Sequence, residues 1–126
     1  MAIENLLIVG IGGVIGANLR YLVSVWANER FGAVFPWATL MINFTGSCLL
    51  AAFLGFAAGH IGLDPNIRLL FATGFCGAYT TYSTYITESI MLLRSGDWIG
   101  AAANILGMNL LCLIGALLGF WIGSQL

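Results

Sequence analysis

Four apolar runs divide the chain, at roughly residues 3–26, 37–59, 67–93 and 98–125. Each is long enough to cross a hydrocarbon core of about 30 Å as a helix rising about 1.5 Å per residue. The polar breaks between them carry Asn28, Glu29, Arg30 and Pro36, then His60, Asp64 and Pro65, then Arg94 to Asp97, as expected of turns and interfaces. Trp26, Trp37 and Trp98 stand at run ends, where aromatic belts sit. The pattern predicts an all-α membrane protein with four transmembrane helices, residues 1–126 forming one channel-sized domain joined by short loops.

The third run is not uniformly apolar. No charge falls between Leu69 and Thr87, yet its centre reads Gly74-Phe75-Cys76-Gly77-Ala78-Tyr79-Thr80-Thr81-Tyr82-Ser83-Thr84-Tyr85. Main chain loosened by two glycines, and a cluster of hydroxyls, must face protein, an ion or water rather than lipid. At about 27 residues the run also exceeds a straight crossing. A third helix broken near its middle is expected.

Composition supports membrane residence: 60% of residues are hydrophobic and 7% charged, against about a quarter charged in soluble domains. Four arginines, no lysine and a net charge of −1 leave no basic patch for nucleic acid. Cys48, Cys76 and Cys112 lie in apolar runs, with a number and spacing that fit neither a disulfide framework nor a zinc motif. They read as small hydrophobes. The start, Met1 to Glu4, lacks a signal peptide's basic region, so the first run is expected to persist in the mature protein. An intramembrane enzyme needs a nucleophile with a base, or a metal cluster. A single histidine, His60, in a loop argues against one.

Gly12 with Gly16, Gly55 with Gly59, and Gly115, Gly119 and Gly123 are spaced by four, giving flat faces for close helix packing. If four spans cross, one side carries Arg68 alone and the other Arg30 and Arg94, with Arg20 just inside it. That bias is weak under the positive-inside rule. It admits either a single orientation or insertion both ways with head-to-tail pairing.

Among residues able to carry chemistry, Thr39, Asn43 and Ser47 recur every four positions and form a polar stripe. The stripe serves either as interhelical glue or as a donor surface, the Asn43 amide offering two N–H groups to an anion. Tyr82 and Tyr85 share a helical face, and their electropositive ring edges with neighbouring hydroxyls suit an anion without a fixed positive charge. Arg20 is expected in the last turns of the first helix and Glu88 at an interface or vestibule, while Asn104 and Asn109 lend polarity to the fourth helix.

The ordered set Gly12-Gly13-x-x-Gly16-Ala17-x-x-Arg20-Tyr21, Thr39-Leu40-x-x-Asn43-x-x-Gly46 and Thr73-Gly74-x-x-Gly77-x-x-Thr80-Thr81-Tyr82-Ser83-Thr84-Tyr85-x-x-Glu88 resembles the CrcB/Fluc family of fluoride channels across all four runs. The resemblance implies a fluoride-selective passive channel in the cell membrane, built as an antiparallel dual-topology homodimer with two pores. It also implies a structural sodium ion at the dimer interface, held by main-chain carbonyls of Gly77 and Thr80. Asn43 matches the pore asparagine, and Ser83 with Thr84 the polar track. Tyr82 and Tyr85 stand where the family pattern has phenylalanines, and Asn104 and Met108 where it has Tyr and Ser. A passive pore suffices for export: HF enters neutral, dissociates, and the membrane potential, at about 2.3 kcal/mol per charge per 100 mV, expels the anion. The alternative, a small multidrug exporter of similar length, needs a membrane-embedded carboxylate for proton exchange. The first run offers only Glu4, at its start.

Overall fold

The computed structural model describes residues 3–126, an arrangement of helices joined by short connections, with no strand among the described residues. The helices are α1 (Ile3–Phe31), α2 (Trp37–Gly59), α3 (residues 65–79), α4 (Tyr82–Arg94) and α5 (Trp98–Ser124). Within α3, a first turn Pro65–Arg68 runs into a wide π-helical stretch, Leu69–Cys76, and ends in Gly77–Tyr79. Helices α1, α2 and α5 are each long and apolar enough to cross a membrane.

Turn chemistry sets the boundaries. Gly32, at φ 79°, follows α1, and Gly96, at φ 83°, follows α4, a conformation that side chains with a Cβ avoid. Asp64 caps α3 by accepting from Asn66 N at 2.8 Å, with Pro65 at the first helical position. Asp97 does the same for α5 through Gly100 N at 2.8 Å. The first helix runs past the expected end near residue 26, because Asn28, Glu29 and Arg30 continue the helix until Gly32. Arg20 therefore stands well inside α1 rather than in its last turns.

Two glycine seams organise the packing. Along α5, Gly115 lies against Phe44 and Cys48, Gly119 against the Cys48 carbonyl and Gly123 against the Ala52 carbonyl, while Gly55 of α2 meets the Phe120 carbonyl in return. Helix α1 meets α3 the same way, Gly12 and Gly16 abutting the Leu70 and Phe75 carbonyls. Small residues let these backbones touch, the association mode available where lipid removes the hydrophobic drive. Gly59 has open space around it, so the α2 seam stops at Gly55. Outward faces carry Leu7, Ile11, Val14, Leu113 and Leu117, all more than half exposed, a surface suited to lipid or to another apolar face.

Candidate functional site

The helical path stops after Tyr79. Thr80 (φ −81°, ψ 158°) and Thr81 (φ −150°, ψ 114°) are extended before α4 begins. In an unbroken helix the Thr81 N–H would pair with the Gly77 carbonyl and the Thr84 N–H with the Thr80 carbonyl. Here Thr81 N donates instead to Asn43 Oδ1 at 2.8 Å, and Thr84 N to Thr81 Oγ1 at 3.3 Å. The carbonyls of Gly77 and Thr80 thus lose their regular helical donors. Arg20 reaches across from α1, its Nη1 lying 3.5 Å from the Thr80 oxygen. The Thr80 side chain is turned the other way, Oγ1 donating to Cys76 O at 3.0 Å.

Asn43 completes a second bond to the same residue, Nδ2 donating to Thr81 O at 2.9 Å. Beside this junction lies a cavity of about 280 Å³. Asn43 and Ser47 line it from α2, Thr80, Thr81, Tyr82 and Tyr85 from the junction and α4, and Met108, Asn109 and Cys112 from α5. No carboxylate stands among these lining residues. Tyr85 is buried and Tyr82 is 73% exposed, with ring centroids 5.5 Å apart in an edge arrangement.

Of the residues singled out in the sequence, Asn43, Thr80, Tyr82 and Tyr85 meet at this cavity. Ser83 and Thr84 do not line it. Both are exposed, and their hydroxyls converge on Thr81 Oγ1 at 3.4 and 3.0 Å. Gly77 is exposed, its nearest neighbour on the side-chain side being the Ala72 carbonyl at 4.0 Å. Asn104 is buried against Ser89, its Nδ2 donating to Ser89 Oγ at 3.0 Å. His60 closes only a local contact with Phe56 O.

A second cavity, of about 390 Å³, opens between the α1–α2 connection and α4, where Glu88 and Thr87 face Asn28, Phe35 and Pro36. Thr39 Oγ1 donates to Glu88 Oε1 at 2.8 Å, joining the α2 stripe to this vestibule. Sequence reasoning passed over the Thr81 main chain, the pivot of the whole arrangement. Its signal was a Thr three residues ahead of Thr84, just after the glycine-broken stretch, the spacing at which a hydroxyl caps a helix N-terminus.

Three membrane-length helices closely packed on glycine seams, with a neutral polar cavity beside extended main chain, define a multi-pass integral membrane protein of transport type. Residues 7–120 match the family described as CrcB-like protein, Camphor Resistance (CrcB), and the chain belongs to that family. Among its relatives, the "Fluoride-specific ion channel FluC" of Koribacter versatilis (strain Ellin345) is 46% identical over 117 residues, covering 93% of each chain. The protein of the same name from Shewanella sp. (strain ANA-3) is 40% identical, over 92% of this chain and 93% of its own. That from Chloroflexus aurantiacus (strain ATCC 29366 / DSM 635 / J-10-fl) is 37% identical, over 96% and 99%.

Proposed function

We propose that this protein is a fluoride-selective passive channel of the cell membrane that releases cytoplasmic fluoride and so reduces its toxicity. The observation that carries the reading is the cavity at Thr80–Thr81, which gathers amide and hydroxyl donors with no carboxylate to repel an anion. Fluoride holds its water tightly, and a selective path must replace that shell with closely placed donors. The relatives' names point the same way.

In this reading residues 65–94 make the fourth crossing as a broken helix, α3 and α4 being its halves. The pathway uses Asn43, Tyr82, Ser83, Thr84 and Tyr85. Two copies pair antiparallel, consistent with the weak arginine bias and with the broad apolar faces left uncovered on one chain. Ser83 and Thr84, exposed on one chain, are then available to line a path completed by the opposed copy.

A sodium ion between the two copies fits the chemistry of the junction. Its ligands would be the carbonyl oxygens of Gly77 and Thr80, the two whose helical donors are diverted to Asn43 and Thr81. Hard oxygen donors suit such a cation, and irregular main chain furnishes them at membrane depth. Once bound, sodium supplies a fixed positive charge and a tie between the third helices.

Proteoliposomes loaded with fluoride or chloride and monitored with ion-selective electrodes test the function. Rapid fluoride release with chloride retained is expected. Equal release of both anions, or proton-coupled exchange of organic cations in its place, overturns the reading.

A further inference from the structure

We propose that Cys112 and Cys48, with the Met108 thioether beside them, bind a soft monovalent metal ion in the wall of the cavity, and that the bound ion blocks fluoride release. The block rests on the fluoride-channel reading, whereas the binding does not.

The three sulfurs follow one face of α5. Met108 and Cys112 both line the cavity of about 280 Å³ and, four residues apart, share a helical face. The next position on that face is Gly115, which has no side chain. Cys48 of α2 fills the gap, its Sγ lying 2.7 Å from where a Gly115 Cβ would stand. Helical positions three apart place their Cβ atoms about 5–6 Å from each other. An ion with metal–sulfur bonds of about 2.3 Å bridges sulfurs about 4.6 Å apart, so small rotations bring both thiols onto one ion. Both cysteines are free and half-buried, and the Ser47 hydroxyl and the Cys48 thiol are polar neighbours of the Cys112 thiol.

Ligand chemistry selects the metal. Among the described residues no three His, Cys, Asp or Glu side chains converge, so the ligand set that zinc requires is missing. A soft monovalent ion, Cu(I) in the cell or Ag(I) as its probe, is satisfied by two thiolates, and the Met108 thioether adds a weaker third ligand. Thiols bind metals as thiolates. Two S–H bonds therefore break, two metal–sulfur bonds form and two protons pass to water. One positive charge between two thiolates leaves the neutral site with a net negative charge. No carboxylate lines this cavity, and the loaded site supplies the negative charge that the cavity otherwise lacks. Repulsion at short range then opposes the passage of an anion.

The full-length protein in chloride-free medium is titrated with silver nitrate, both in detergent and in fluoride-loaded liposomes. In detergent, ultraviolet absorbance from silver–thiolate bonds should rise to an end point of one ion per chain and protect Cys112 from a maleimide. In liposomes, silver should stop fluoride efflux and excess dithiothreitol should restore it. Each variant is compared with its own silver-free rate. Cys112→Ser and Cys48→Ser should each raise the half-blocking concentration roughly tenfold or more, since a two-coordinate ion loses half its thiolates. Met108→Leu should raise it by a smaller factor. Cys76→Ala, which removes the buried thiol of α3, should respond as wild type. Undiminished block in Cys112→Ser, or block lost there but unchanged in Cys48→Ser, overturns the bridged site. Silver held by the cysteine pair with efflux unchanged overturns the block. Absent fluoride release before silver is added overturns the channel reading, and the detergent titration then still decides the metal site.

Discussion

The Asn109 amide donates to the Tyr85 phenol oxygen at 2.9 Å, and the same Nδ2 donates to Ile105 O at 2.7 Å. The Tyr85 hydroxyl is therefore bonded to α5, and the face of this residue free for the pathway is its ring. Tyr85→Phe removes the bond from Asn109 and the long one the hydroxyl donates to Ile105 O at 3.4 Å, while Asn109 keeps its carbonyl acceptor. The expected cost is about 1 kcal/mol, with fluoride flux largely retained. Tyr85→Ala, opening a cavity at a buried site, should cost about 3–5 kcal/mol. Tyr82 is 73% exposed, so Tyr82→Phe should leave thermal stability unchanged. Thermal unfolding in detergent, paired with efflux, checks the series. Severe flux loss in a stably folded Tyr85→Phe would show that the hydroxyl itself contacts the ion.

The glycine seams separate into essential and dispensable positions. A Cβ at Gly123 would strike the Ala52 carbonyl and one at Gly16 the Phe75 carbonyl, whereas Gly59 has room. Gly123→Val and Gly16→Val should each destabilise by at least about 1–3 kcal/mol. Gly59→Ala should be neutral, or stabilising by up to about 1 kcal/mol through helix propensity. Melting midpoints and the monodispersity of purified protein report the ranking, and equal damage at all three sites would contradict the packing described here.

These seams were legible in the sequence because spacing by four survives any detail of helix geometry, and Gly59 was over-read because spacing says nothing about where a neighbour ends. The inward stripe of Thr39, Asn43 and Ser47 was legible for the same reason. The partners of Asn43 were not. A side chain that bonds main chain 38 residues away leaves no trace in local pattern, since Thr81 participates through its peptide groups and any residue type supplies those. Arg20 was misplaced because the charges of Asn28-Glu29-Arg30 read as a loop, while the chain continues helical to Phe31.

Thr39 and Glu88 hold α2 to α4 across the vestibule through one hydroxyl-to-carboxylate bond of 2.8 Å. The other carboxylate oxygen, Oε2, is buried with no partner among the described residues. Glu88→Gln keeps an acceptor for Thr39 and deletes a charge that burial disfavours, so its melting midpoint should equal or exceed wild type. Glu88→Leu removes the acceptor and should cost about 1–2 kcal/mol. If Gln and Leu prove equally damaging, the negative charge rather than the hydrogen bond holds this contact.

Thr80 offers a way to separate main-chain from side-chain ligation of the proposed sodium ion. Its Oγ1 is turned toward Cys76 O, donating at 3.0 Å, while its carbonyl oxygen lies 3.5 Å from Arg20 Nη1, so the two candidate ligand atoms can be tested apart. Thr80→Val removes the hydroxyl while keeping the carbonyl and the side-chain shape, and should bind sodium as wild type does. Exchange of sodium for N-methylglucamine should lower the melting midpoint of both proteins equally. A bound-cation peak in the density between third helices checks the position, and loss of sodium sensitivity in Thr80→Val would point to the side chain.

Insertion in both orientations is a further expectation of the proposed antiparallel pair. With Arg68 on one side and Arg30 and Arg94 on the other, no loop carries the cluster of basic residues that fixes topology. Gly62 lies in the α2–α3 connection with open space around an added side chain, so Gly62→Cys places a label without disturbing packing. Cys48, Cys76 and Cys112 lie within helices and are controlled for with the unmodified chain. In sealed vesicles, a membrane-impermeant maleimide added outside should label part of the Gly62→Cys population, and lysis should expose the rest. Adding one lysine to the 60–66 loop should bias the population to one orientation and, if the proposed unit of opposed copies holds, reduce fluoride efflux. Complete labelling from a single side, with efflux intact, would rule out the antiparallel pair.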